Sequence, residues 1–139
     1  MRALALALLL LPGLPAAGFA QDVWPQWRGP THDSVAPTAD LPTHWSKTEN
    51  VIWKTALPPG HSSPILVGPR IFLTAYQGDT LLTISLDRAT GKILWRREAP
   101  RPRKQHLHVS NNPASPSPVS DGKNVYITGY SGLYGFAPR

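Results

Sequence analysis

The sequence predicts an all-β fold assembled from a repeated unit of short antiparallel strands. Three observations predict it. Sixteen prolines and eleven glycines punctuate the 139 residues, and a proline inside a helix costs about 3 kcal/mol, so long helices are excluded. Runs rich in β-branched and aromatic residues alternate with Gly- and Asp-containing turn signals. Finally, two stretches match in order at one offset: Ser63-Pro64-Ile65 returns as Ser117-Pro118-Val119, and Ile71-Phe72-Leu73-Thr74-Ala75-Tyr76 as Val125-Tyr126-Ile127-Thr128-Gly129-Tyr130.

Residues 1–20 stand apart from any fold. Met1-Arg2 gives a positive start, Ala3 to Leu11 is an unbroken Ala/Leu run, and Gly18-Phe19-Ala20 sets small residues before Gln21. That is the layout of a secretory signal peptide. The apolar run is shorter than the ~20 residues a spanning helix needs, which disfavours an uncleaved anchor and leaves no membrane span after signal removal. The expected compartment is periplasmic or extracellular. No cysteine is present, so a disulfide framework is excluded and packing must supply stability.

Residues 21–50 form a Pro/Trp-rich strap holding Trp24, Trp27 and Trp45. An arm that caps the following sheet, burying each indole for ~2–3 kcal/mol, is favoured over an aromatic sugar platform. Residues 51–139 carry the repeats. Val51-Ile52-Trp53-Lys54 matches Ile93-Leu94-Trp95-Arg96, so residues 51–55 read as a lone fourth strand without its first three. Residues 63–97 hold a complete unit, with strands at Pro64–Val67, Ile71–Tyr76, Leu82–Leu86 and Lys92–Arg97. The third strand alternates apolar and polar residues, which places one face inward. Residues 117–139 form an incomplete second unit. In it Leu133-Tyr134-Gly135-Phe136-Ala137 aligns with Thr83-Ile84-Ser85-Leu86-Asp87, with Ala137 where the first unit has Asp87. Four antiparallel strands at a spacing of roughly 40 to 50 residues mark a propeller blade. The predicted architecture is a partial β-propeller: one complete blade, an orphan outer strand and an incomplete second blade.

Between the third and fourth strands runs Ser85-Leu86-Asp87-Arg88-Ala89-Thr90-Gly91, followed by Lys92 to Trp95. Asp87 can accept from backbone N–H groups two or three residues on, Gly91 can reverse the chain at positive φ, and Trp95 can wedge between blades. Ser85 is small enough to admit that indole. This segment resembles the Ala-x-Asp-x-x-Thr-Gly-x-x-x-Trp docking motif of PQQ-like (pyrroloquinoline-quinone-type) β-propeller repeats, with Ser85 in place of the alanine. Trp24-Pro25-Gln26-Trp27-Arg28-Gly29-Pro30, Leu41-Pro42-Thr43-His44-Trp45, His61-Ser62-Ser63-Pro64 and the stretch His108 to Pro116 are similar to segments of an exported bacterial subgroup of that family. The resemblance implies a ring of seven or eight blades, of which this chain would be an N-terminal piece, so the remaining blades are its implied partners. It also implies that the lone strand at Val51 completes the last blade of such a ring.

The resemblance brings quinoprotein dehydrogenases to consideration, and the residues do not support PQQ. The cysteine pair often found over that cofactor has no counterpart, and the eight carboxylates mostly fall at turns, as Asp87 and Asp121-Gly122 do. No catalytic constellation is present. Gly129-Tyr130-Ser131-Gly132 lacks the spacing of a nucleophile elbow, and no phosphate loop precedes a helix. His106-x-His108 could offer two metal ligands, but no third ligand lies near in sequence, and loop histidines satisfied by backbone are the favoured reading. The resemblance implies that His61, Ser62, His106, His108 and Asn111 lie in blade-connecting segments facing a central channel, which makes them the candidate ligand contacts. The net charge is +6, concentrated in Lys92, Arg96, Arg97, Arg101, Arg103 and Lys104. Interleaved prolines and export favour a solvated inter-strand loop over a nucleic-acid surface. The expected function is an exported, non-catalytic scaffold that binds or assembles with a protein or polysaccharide partner. The rival is a fragment of a quinoprotein oxidoreductase or sugar-acting enzyme whose catalytic residues lie in other blades.

Overall fold

A computed structural model describes residues 23–36, 42–99, 106–129 and 132–137. The signal segment, Arg101, Arg103, Lys104, Tyr130 and Ser131 lie outside the described residues. Among those described, every regular element is a strand, so no helix there is long and apolar enough to cross a membrane. Strands β1 (Ile65–Val67), β2 (Arg70–Gln77), β3 (Thr80–Asp87) and β4 (Ile93–Ala99) form a four-stranded antiparallel sheet in sequence order. Strands β5 (Val119–Ser120), β6 (Val125–Gly129) and β7 (Gly132–Phe136) form a second, three-stranded sheet. Neither sheet closes on itself.

The register divides the first sheet into two faces, because side chains alternate along a strand. Ile65 sits opposite Phe72, Phe72 opposite Ser85 and Ser85 opposite Trp95, which puts these four on one face. Ile71 opposite Leu86, Leu73 opposite Ile84 and Ala75 opposite Leu82 define the other. The first face packs on the second sheet: Ile65 and Phe72 join Val125 and Ile127 in one core cluster, flanked by Val67, Trp95 and Phe136. A second patch of the same interface gathers Leu81, Ala99 and Ala114 with Tyr76 and Tyr134. The Trp95 ring lies between the sheets, 5.8 Å from Phe72 and 6.2 Å from Phe136 between centroids. Arg97 adds its guanidinium 4.9 Å over Trp95. Thus part of the basic window serves packing rather than a solvated loop.

The opposite face buries Ala75, Leu82, Ile84 and Leu86, with Ile71, Leu73 and Ile93 half-covered. The chain from Trp53 to Pro59 runs against this side. Trp53 Nε1 donates to the Arg88 carbonyl at 3.0 Å, and Thr55 Oγ1 donates to the Gly91 carbonyl. Farther along, Ala56–Pro59 and Arg96 line an open cleft of about 500 Å³, and Arg96 stands opposite Ile84 on this face. Residues 51–55, read from the sequence as a lone fourth strand, form no strand and belong to no ladder among the described residues. With cover on both sides, β3 is buried from Leu81 to Leu86. The alternation in this strand predicted one inward face; the structure buries both, so Thr83 and Ser85 are enclosed along with their apolar neighbours.

The β3–β4 turn follows the local chemistry of its residues. The Thr90 N–H and hydroxyl both donate to Asp87 Oδ1, at 2.8 and 2.7 Å, and the Gly91 N–H reaches the Asp87 carbonyl at 2.9 Å. Gly91 has φ +70°, and a Cβ there would overlap the Trp53 indole. A bulge between Ser85 and Leu86 then sets Leu86 opposite Ile93, a local kink of the kind that increases strand twist.

The N-terminal strap, expected to cap the sheet with three buried indoles, reaches it through the backbone of Trp24, whose ring is half-buried. Trp24 forms an antiparallel bridge with Leu66, N–H to carbonyl in both directions at 3.0 and 2.9 Å. Pro25 accepts from the Ser120 N–H at 2.8 Å, so this segment ties the first strands of both sheets together. Trp27 and Trp45, expected to bury their rings, are 64% and 71% exposed. Backbone pairing, with the Trp24 ring folded over Gly29, does the holding.

Candidate functional site

The predicted channel contacts fall on two segments that meet at the start of the first sheet. The His61 N–H donates to the Ala114 carbonyl at 3.1 Å, and the Ser63 N–H donates to Ser117 Oγ at 2.8 Å. The stretch before β1 is thereby fastened to the loop before β5. Thr74 on β2 reinforces the junction: its buried hydroxyl lies 3.0 Å from the Ala114 carbonyl and 3.1 Å from that of Pro116. Asn112, Pro113 and Ala114 are buried, and Asn112 Oδ1 accepts from the Ala114 N–H at 2.9 Å.

Each candidate side chain has a definite place in this junction. Ser62 Oγ donates to the Thr74 carbonyl and accepts from the Thr74 N–H, at 3.2 and 2.9 Å; its hydroxyl continues the edge of β2 where β1 no longer does. Asn111 Oδ1 accepts from the Asn112 N–H at 2.9 Å and from the Ser115 hydroxyl. His108 Nδ1 accepts from the Ser110 N–H at 3.2 Å, which holds the ring within its own turn. His61 and His106 are exposed. The structure therefore brings Ser62 and the Asn111 loop together through Thr74 and Ala114, with His61 at the margin.

No group of three His, Asp or Glu among the described residues is arranged to hold a metal. The carboxylates engage turns instead. Asp121 accepts from the N–H groups of Asn124 and Lys123 at 2.6 and 2.8 Å and from the Tyr126 hydroxyl at 2.9 Å, and these bonds hold its pKa down to about 2. Asp87 is lowered chiefly by the hydroxyl and N–H of Thr90. Asp33 is lowered by the Thr31 hydroxyl and the Val35 N–H. A carboxylate held anionic by turn donors is a poor proton acceptor at neutral pH, and the oxygens of these three groups are engaged by their own turns. An open cleft of about 730 Å³ is lined by Pro42, Thr43, His44 and residues 49–52, none of them a residue of the junction.

Sequence reasoning missed Thr74, Asn112, Ser115 and Ser117 as the polar core of the junction. The repeat carried a signal for two of them, since Thr74 recurs as Thr128 and Ser117 as the partner of Ser63. What it did not carry was the fold-dependent pairing of a β2 hydroxyl with carbonyls about forty residues on. Ser85, Asp87, Thr90, Gly91 and Trp95 occupy the turn and wedge described above. No protein-family model, curated protein or solved structure matches the chain.

Proposed function

We propose that the chain is part of an exported β-propeller of the PQQ-like repeat type, serving as a non-catalytic scaffold for binding or assembly. The observation that carries this reading is the order of the layers. Trp95, on the fourth strand of the first sheet, packs toward the second sheet, while Trp53, at the repeat-equivalent position, packs toward the first. Moreover, Val125 and Ile127 of β6 pack against the Phe72 face of the first sheet. Their repeat equivalents, Ile71 and Leu73, lie on its opposite face. On this reading each unit would offer one face to the unit before it and the other to the unit after, as the radially repeated blades of a propeller do.

The scaffold reading rests on how the polar residues are used. Ser62, Asn111 and His108 satisfy backbone groups, and Asp87 and Asp121 close turns. Titrating the chain with PQQ and Ca²⁺, while following quinone absorbance and reduction of an acceptor dye, tests it. The expected result is an unchanged quinone spectrum and no dye reduction; a saturable spectral shift with turnover would establish the quinoprotein alternative.

A further inference from the structure

The loop that follows Trp24 holds a backbone its residues do not favour. Arg28, His32 and Ser34 have φ of +68°, +62° and +67°, in the left-handed region that residues other than glycine seldom enter. The Gly29 N–H donates to the Gln26 carbonyl at 3.0 Å. That bond closes a turn with Arg28 at its third position, where positive φ calls for glycine or asparagine. Further bonds hold the shape. The Ser34 N–H reaches the Arg28 carbonyl at 3.0 Å, and Gln26 Nε2 donates to the Gly29 carbonyl at 3.1 Å and lies 3.0 Å from His32 Nε2. Trp24 and Pro25 fasten the base of the loop to Leu66 and Ser120.

The core makes little use of the side chains so presented. Trp27 is 64% exposed, and Arg28 and every residue from Pro30 to Val35 are exposed. The Arg28 guanidinium lies 5.8 Å from the Trp27 ring centroid, with its Nε 3.4 Å from Ser34 Oγ. It forms no ion pair among the described residues. Asp33 Oδ1 accepts instead from the Thr31 hydroxyl and the Val35 N–H. A costly backbone whose side chains the core does not need points to a role for the groups it displays.

We propose that Trp27 and Arg28 form a subsite for an acidic polysaccharide, a chain of uronic-acid pyranoses. This names a ligand for the binding scaffold proposed above and rests on that reading. The indole face is negative through its quadrupole, and the axial C–H groups of a pyranose carry the complementary partial charge, so the sugar ring stacks on Trp27. The Arg28 fork pairs with a carboxylate through two N–H groups. In a uronic acid that carboxylate stands at the edge of the pyranose, so one sugar uses both side chains. Holding the two in place beforehand lowers the ordering cost of binding. A peptide is the poorer match. Extended peptides add to a free strand edge, whereas the N–H groups of Gly29, His32, Ser34 and Val35 are already donated within the loop. The net charge of +6 steers a polyanion toward the chain at low salt.

Calorimetric titration of the full chain with an alginate hexasaccharide tests this, beside neutral cellohexaose and hexaglutamate. Alginate is expected to bind saturably. Cellohexaose, without a carboxylate for Arg28, and hexaglutamate, without a ring for Trp27, should each bind about tenfold more weakly or not at all. Trp27→Ala and Arg28→Gly should each weaken alginate binding by about tenfold. Arg28→Gly places glycine where the turn favours it, so its Tm should equal or exceed that of the parent. Lost binding at unchanged or higher Tm separates a missing contact from a collapsed loop; should Arg28→Gly lower Tm, Trp27→Ala decides alone. No saturable alginate binding, equal affinity for either comparison ligand, or an alginate affinity that Trp27→Ala leaves unmoved overturns the proposal. PQQ turnover in the titration described above would overturn the scaffold reading and leave these alginate affinities as measured.

Discussion

Ser85 shows how a single atom registers its position in the stack. Its side chain is fully buried between the sheets, and its hydroxyl, like that of Thr83, meets no hydrogen-bond partner. A buried hydroxyl without a partner costs roughly 1–3 kcal/mol by protein mutational measures. Ser85→Ala keeps the small size that admits Trp95 and removes the orphaned group. It is expected to raise stability by about 1 kcal/mol, read as a higher denaturation midpoint at unchanged m-value; a lower midpoint would mean that the hydroxyl has a partner. Asp121 sets a second expectation at this scale. Its folded pKa of about 2 lies below its ordinary 3.8, so its stabilising bonds are complete above pH 4 and are lost as pH falls from 4 toward 2. Asp121→Asn should flatten that part of the Tm-versus-pH curve, and parallel curves for variant and parent would count against the assignment. The Asp87 and Asp121 turns were legible in the sequence because each donor lies within three residues of its acceptor, the Tyr126 hydroxyl apart. The Ser62–Thr74 and Thr74–Ala114 bonds were not, because they exist only once the chain has folded.

At the scale of the element, the four strands of the first sheet follow the sequence pattern to within one or two residues at each end, because strand runs and turn signals alternate cleanly there. Burial on both faces of β3 did not follow from that pattern: it depends on which layers lie above and below, and Thr83 and Ser85 look polar whichever way they face. Trp95 joins element to layer. The ring meets Phe72 in its own sheet and Phe136 in the next, and Arg97 stacks on it. Trp95→Ala should therefore cost about 3 kcal/mol and loosen both sheets together, with Trp95→Phe recovering part of the loss. Chemical denaturation followed separately by far-UV dichroism and tryptophan fluorescence measures this. A Trp95→Ala loss below about 0.5 kcal/mol, within the range of an ordinary surface substitution, would show that the ring only decorates the interface. Gly91→Ala tests the neighbouring turn. The new Cβ would face positive φ and the Trp53 ring at once, so a loss of at least 1 kcal/mol is expected, measurable in the same denaturation series.

At the scale of the whole molecule, the N-terminal strap is where sequence and structure diverge most. Three tryptophans among prolines suggested a cap held by buried indoles, because large aromatic area is the strongest apolar signal a sequence offers. Instead, the strap reaches the sheets through main-chain bonds from Trp24 and Pro25 to Leu66 and Ser120, which any residue with a free N–H or carbonyl can make and no composition reveals. The consequence is mechanical. The first strands β1 and β5 are only three and two residues long, and the unpaired backbone groups of a sheet edge invite association with other chains. By occupying both edges at once, the strap holds the two sheets at a fixed separation along the side where Thr74 and Ser117 also cross. Deleting residues 21–36 should then lower Tm by several degrees and increase turbidity on heating. Trp27→Ala should leave both unchanged, since that ring is largely exposed. Calorimetry with simultaneous light scattering separates the cases: a deletion that leaves Tm and turbidity at parental values would mean that the junction through Thr74 suffices to hold the sheets together.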